Sequence, residues 1–155
     1  MVKVVGHWEI GYMAPIMEHH FWGLPLWDFG VTEWYMWPVS GIKNNIRKTN
    51  LYEKETLKEI LEINKDVKHI YVEPYNPAYP ITNCGTDLRE FEHPKDALYI
   101  FGSAHYNPLA AHKREEDLAV TIPTIQNAGV LWANQCVVMI LYDRIVKEWQ
   151  LQSQI

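Results

Sequence analysis

The chain has 155 residues, long enough to bury a core without help from disulfides or metals. Hydrophobic residues at 48% and charged residues at 21% exclude a disordered chain. A formal net charge of -5 excludes the strongly basic footprint of a dedicated nucleic-acid binder, so RNA would need a local basic patch or a basic partner.

The chain opens with Met1–Val5, which reads as a buried strand and not as a targeting segment. Met13–Trp22 reads as a helix with Pro15 in its first turn, where a missing N–H costs little, and Gly23-Leu24-Pro25 is expected to end it. Glu33–Val39 is a second strand, rich in aromatics. Ser40–Asn50 is polar and basic, with Lys43, Arg47 and Lys48, and reads as a solvated loop. Leu57, Ile60, Leu61 and Asn64 form a helical stripe.

His69–Val72 is a third strand, running into Glu73-Pro74 and a proline-rich loop from Tyr75 to Pro80. Ala97–Phe101 is a continuous apolar run closed by Gly102-Ser103, the pattern of a central strand covered on both faces. Ala119–Ile122 is a last strand stopped by Pro123. From Val130 to Trp149 the chain reads as one long helix whose apolar stripe is Val138, Leu141, Ile145 and Trp149. Strands alternating with helices predict an α/β fold, a mostly parallel sheet flanked by helices, in one domain over residues 1–155.

Cys84 and Cys136 have no paired C-x-x-C spacing, which points to reduced thiols and a cytoplasmic protein. No run reaches the roughly 18 apolar residues that span a bilayer, so no membrane partner is expected. Seven Trp and nine Tyr are many for this length and suggest interfaces or pockets beyond the core.

Two segments carry a resemblance. Asp96–Ser103 is a strand ending in Gly-Ser; Val120-Thr121-Ile122-Pro123-Thr124 follows about twenty residues later, then a loop with Gly129 and the long helix through Leu141-Tyr142. In order and spacing these resemble the last third of the SPOUT, or trefoil-knot, RNA methyltransferases, closest to the ribose 2′-O-methylating SpoU-type branch. The preceding Asp87–Lys95 stretch resembles the family's lead-in. The resemblance implies a C-terminal trefoil knot, a homodimer and a bent S-adenosylmethionine among the knot loops. By position it puts cofactor contacts at Phe101, Gly102, Ile122, Pro123, Thr124, Gly129 and Leu131, with Glu73 and Pro74 bordering the pocket.

The catalytic half departs from that pattern. Glu9-Ile10-Gly11 aligns where the branch has Asn-Ile-Gly, and Pro15 stands at its arginine. Ala104 replaces the Glu after Gly-Ser, and Trp132 falls on the Asn of the final motif. Those groups orient the ribose and help remove its proton, so ordinary ribose methylation should be disabled. Other polar residues follow the strand ends: His7 and Glu9 after the first, His105, Tyr106 and Asn107 after Gly102-Ser103, and Asn134 in the last helix's first turn. Loops beyond the carboxyl ends of strands form the crevice of an open α/β sheet. Glu9, His105 and Asn134 are therefore the catalytic candidates, although each taken singly reads more readily as a polar surface residue.

No metal is expected. In Glu18-His19-His20 the adjacent histidines point about 100° apart on a helix, which suits a surface or interface pair better than one shared ion. The sequence thus leads to an S-adenosylmethionine-binding methyltransferase acting on RNA (tRNA or rRNA) with non-standard catalytic residues. The alternatives are an inactive ligand-binding or scaffold relative, and a protein that uses the cofactor itself as substrate.

Overall fold

The computed structural model describes residues 1–103 and 109–153. Seven strands, β1 (Val2–His7), β2 (Glu33–Trp37), β3 (Asn50–Glu53), β4 (Lys68–Pro74), β5 (Thr86–Asp87), β6 (Ala97–Phe101) and β7 (Leu118–Ile122), form one sheet in the order β3-β2-β1-β6-β4-β7-β5. Every pairing is parallel. The chain builds outward from β1 through β3 on one side, then crosses to β4 and inserts β6 between β4 and β1. That reversal leaves the carboxyl ends of β1, β6 and β4 side by side, where α/β sheets open a crevice.

Helices α1 (Pro15–Asp28) and α3 (Ala133–Gln152) cover one face, around Val4, Trp22, Leu26, Trp34, Tyr99, Val137 and Ile140. Helix α2 (Leu57–Ile63) covers the other, with Leu57 and Ile60 against Val5, Tyr71, Leu98 and Ile100. All five residues of β6 are buried, as its unbroken apolar sequence requires when both faces are covered. A reciprocal cap starts α2: Thr56 Oγ1 accepts from the Glu59 N–H and the Glu59 carboxylate accepts from the Thr56 N–H. No helix among the described residues is long and apolar enough to cross a membrane.

Three expectations need correction. Gly23-Leu24-Pro25 does not end α1, which runs on to Asp28 because Trp22 and Leu26 bury its last turns in the core. Asn50–Glu53 is an edge strand and not the end of a loop. The apolar stripe of α3 is rotated from the expected one: Cys136, Val137, Ile140, Leu141 and Arg144 are buried, whereas Val138 and Trp149 are 37% and 61% exposed.

Candidate functional site

Strand register gathers the cofactor candidates. Val72 pairs with Phe101 and Pro74 with Ile122, so Glu73-Pro74, Phe101-Gly102 and Ile122-Pro123 leave the sheet together. The loops beyond are tied to each other. The Tyr75 N–H donates to the Ile122 carbonyl (2.8 Å) and Asn76 Nδ2 to the Ala128 carbonyl (3.1 Å). The Thr124 N–H donates to Asn127 Oδ1 (3.0 Å) and the Asn127 N–H to Thr124 Oγ1 (3.1 Å), closing the turn after β7.

Gly129 completes that turn at φ +65°, and a Cβ there would lie 2.8 Å from both Asn76 Cβ and Tyr79 Cε2. Both the conformation and the space therefore call for glycine. Phe101 differs from its neighbours. Its ring is buried against Trp22, centroids 5.9 Å apart, which leaves only backbone for a ligand. Leu131 lies further along, on the wall of a groove between α1 and α3 with Met13, Phe21 and Trp132.

The β1–α1 corner brings polar groups to the same end of the sheet. Glu9 is 5% exposed, and Ser103 Oγ donates to its Oε2 at 3.0 Å. The Glu9 backbone N–H donates to both carboxylate oxygens of Glu18 (3.0 and 2.9 Å), itself 2% exposed in the first turn of α1. Trp22 reaches this corner because Gly6 is bare: a Cβ there would sit 2.4 Å from the indole. A narrow cleft is lined by His7, Glu9, Glu18, Trp22, Trp132, Ala133 and Asn134. Two of the three catalytic candidates, Glu9 and Asn134, thus share one cleft; the third, His105, lies outside the described residues.

Burial pushes the Glu18 carboxyl up to about 7, with the Glu9 charge adding to the shift and the Glu9 N–H and Trp22 opposing it. Burial also lowers the proton affinity of His7, against the pull of Glu9, and His7 Nδ1 is a buried atom without a hydrogen-bond partner. Sequence reasoning missed Ser103 and Glu18. A lone acid in a helix's first turn reads as solvated, and only its spacing of four from Trp22 hinted that it turns inward.

Glu18-His19-His20 is not a surface pair. Only His20 is exposed; His19 is buried, stacked on Trp34 with centroids 5.6 Å apart. Among the described residues no group of three His, Cys, Asp or Glu could hold a metal ion. Trp8, Trp22 and Trp34 are core residues, while Trp27 is 42% exposed under the Arg47 guanidinium. Cys84 and Cys136 are both free thiols.

The opposite end of the sheet is built from charge pairs. Arg144 of α3 donates to the Pro94 carbonyl (2.6 Å), the Lys95 carbonyl (3.3 Å) and the Tyr99 hydroxyl (3.2 Å). Lys147 donates to the Leu88 and Phe91 carbonyls and pairs with Asp143. His93 sits between, Nδ1 2.7 Å from the Tyr99 hydroxyl and Nε2 2.8 Å from Asp143. The stretch that resembles a family lead-in therefore anchors the last helix.

No protein-family model matches the chain, and no curated protein sequence does. Solved structures do. A TrmH/SpoU tRNA modifying enzyme from A. aeolicus aligns with a TM-score of 0.68 at 14% identity, over 97% of this chain and 77% of that one. A Bacillus anthracis protein, described as a candidate RNA methyltransferase, gives 0.66 at 14% identity over 93% and 92% of the two chains. The chain has the SpoU methyltransferase fold. An RNA 2′-O ribose methyltransferase gives 0.67 at 14% identity, over 96% of this chain and 57% of its own length, so this chain spans just over half of that protein. At such identities the shared property is the path of the chain, and at that level the resemblance of Asp96–Tyr142 is borne out.

Proposed function

We propose that the chain binds S-adenosylmethionine at the carboxyl ends of β6, β4 and β7 and transfers its methyl group to an oxygen or nitrogen of RNA (tRNA or rRNA). When bound, the cofactor supplies an electrophilic methyl on a sulfonium. Glu73, Pro74, Gly102, Ile122, Pro123, Thr124, Gly129 and Leu131, with the backbone of Phe101, would hold it. The observation that carries the proposal is the hydrogen bond from Ser103 to Glu9, which joins the residue after Gly102 to the carboxylate best placed to take the acceptor's proton. The orphaned Nδ1 of His7 in the adjoining cleft fits a site that makes further polar contacts.

Glu9 is the base in this reading, Asn134 orients the acceptor across the cleft, and His105 remains a second polar candidate on sequence grounds. The reading includes the C-terminal knot, supported by the loops 75–79 and 124–129 being tied together ahead of α3. It also includes a homodimer in the cytoplasm. Phe21, Leu24, Trp27, Met139 and Tyr142 expose an apolar face on α1 and α3 suited to a second copy.

An inactive, ligand-binding or scaffold relative is the second reading, favoured by Pro15, Ala104 and Trp132 at the three polar motif positions. The test is transfer of tritium from methyl-labelled S-adenosylmethionine to total tRNA and rRNA, with the cofactor's breakdown followed in the same reaction. Labelled RNA that falls at least about 100-fold with Glu9→Gln supports the proposal. Binding without transfer supports the inactive reading. Cofactor loss with no labelled RNA would make the cofactor the substrate and overturn the proposal.

A further inference from the structure

One segment departs from the acidic character of the chain. Residues 34–52 contain three cations, Lys43, Arg47 and Lys48, and no Asp or Glu. Every other lysine or arginine has an acid within two residues of it in sequence, except Lys3, which pairs with Glu33 at 2.9 Å. The acids that flank the segment are committed elsewhere. Glu33 is taken by Lys3, and Glu53 Oε1 accepts from the Trp8 indole N–H (2.7 Å) and the Ser40 N–H (2.9 Å). Lys43, Arg47 and Lys48 are all exposed, and among the described residues no carboxylate pairs with any of them.

The fold carries these cations along the flank of α1. Their loop leaves the carboxyl end of β2, beside that of β1, and returns to the amino end of β3, so it runs the length of the sheet. Ile42 and Ile46 anchor it inward: Ile42 packs on the core cluster and Ile46 is buried. Ile46 meets Gly23 of α1, where a Cβ would lie 2.8 Å from the Ile46 Cδ1. The Thr49 hydroxyl donates to the Ile46 carbonyl (2.7 Å), and Asn45 Oδ1 accepts from the Leu51 N–H (3.0 Å). Arg47 takes a left-handed backbone conformation, φ 55°, that long side chains rarely adopt. Its guanidinium lies over the ring of Trp27, 5.3 Å from the centroid. That contact fixes the guanidinium without supplying an anionic partner.

We propose that this loop is an RNA-docking track, on which Lys43, Arg47 and Lys48 bind phosphates of a strand leading to the carboxyl ends of β1 and β2. The inference rests on the reading of the chain as an RNA methyltransferase and adds where an acidic protein holds a polyanion. A net charge of -5 repels RNA at long range. At physiological salt that repulsion is screened beyond about 8 Å, so a bound phosphate responds to the charges nearest it. Here those are cations without local acids. Arg47 offers a planar fork suited to phosphate, and the exposed Asn44 amide adds a neutral donor beside Lys43. Phosphate contacts fix register and orientation without reading sequence, so the track positions the RNA and leaves its selection to other contacts.

The experiment measures the affinity of the full chain for unmodified tRNA and rRNA transcripts by filter binding, from about 25 to about 200 mM KCl. Wild type is compared with Arg47→Ala, Arg47→Lys and a triple variant, Lys43→Ala with Arg47→Ala and Lys48→Ala. In wild type the slope of log affinity against log salt should be about −2 or steeper. It should become shallower by about 1 in Arg47→Ala and by about 2 in the triple variant. Arg47→Lys keeps the charge and should keep the slope. S-adenosylmethionine affinity should be unchanged in the triple variant, a split that loss of structure would not give. An unchanged slope and RNA affinity in a triple variant that melts cooperatively would overturn the inference and leave the RNA reading standing. Wild type that binds neither tRNA nor rRNA at the lowest salt would remove the RNA reading and the inference together. Binding to phosphatidylserine vesicles that exceeds RNA binding, and is lost in the triple variant, would assign the loop to a membrane surface and overturn the inference.

Discussion

The two ends of the sheet use polar residues in opposite ways. Along the segment that runs from the carboxyl end of β5 back to the amino end of β6, Arg144 and Lys147 bind α3 to backbone carbonyls, Lys147 pairs with Asp143, and His93 bridges Asp143 and the Tyr99 hydroxyl. At the carboxyl ends, Glu18 is buried as an acceptor for the Glu9 N–H, close to one orphaned histidine nitrogen. The first arrangement stabilises the fold. In the second, burial pushes the Glu18 carboxyl up to about 7, a pattern expected where ligands bind.

The largest expected effect lies at the anchoring end. Arg144→Ala leaves the Pro94 carbonyl and the Tyr99 hydroxyl without their donor and should cost about 3 kcal/mol, lowering Tm by about 6–12 °C in a thermal melt. Cofactor affinity at the far end should be unchanged; a parallel loss there would break the division between the two ends.

Gly129→Ala should come next. It forces an L side chain to φ +65° and drives a Cβ against Asn76 and Tyr79. A stability loss of about 2 kcal/mol is expected, with S-adenosylmethionine affinity reduced about tenfold because the loops after β4 and β7 move apart. Denaturant unfolding and calorimetry read the two effects separately.

The smallest effect sharpens the comparison through pH. Glu18 has its folded-state pKa raised from 4.5 to about 7, so between those values the folded chain holds more protons than the unfolded one. Stability from this group is full below pH 4.5 and is lost as pH rises through 7. The lowered histidines His7, His19 and His93 act in the opposite direction, losing stability as pH falls. The difference between wild type and Glu18→Gln isolates the carboxyl. The variant should gain about 1–2 kcal/mol relative to wild type between pH 5 and pH 8 in denaturant midpoints. A difference that stays flat would mean Glu18 is not strained by burial.

The sequence made the central strands legible because the physics was local. Ala97–Phe101 is apolar at every position, which only a strand covered on both faces explains, and Leu118–Ile122 is stopped by Pro123. Edge elements were illegible for the opposite reason. Asn50–Glu53 and Thr86–Asp87 have few buried side chains and owe their strand geometry to hydrogen bonds with β2 and β7. The stripe of α3 was misread because Arg144 is buried by its long-range carbonyl partners, and a charged residue normally marks the wet face.

The site divided along the same line. That Glu73 and Ile122 leave the sheet together followed from the order of strands along the chain, as did the place of Glu9 just beyond β1. Glu18 was not legible. Its burial depends on meeting the backbone of a residue nine positions earlier, where the chain turns from β1 into α1. No periodicity within α1 carries that information.

Calorimetric titration of S-adenosylmethionine into wild type and Gly102→Trp is the most direct test of the cofactor site. The account predicts saturable binding near about one ligand per chain in wild type and none in the variant, whose indole would fill the mouth beside Ser103. No binding to wild type at millimolar ligand, weaker than about −4 kcal/mol, would contradict it, as would equal affinity in a folded Gly102→Trp.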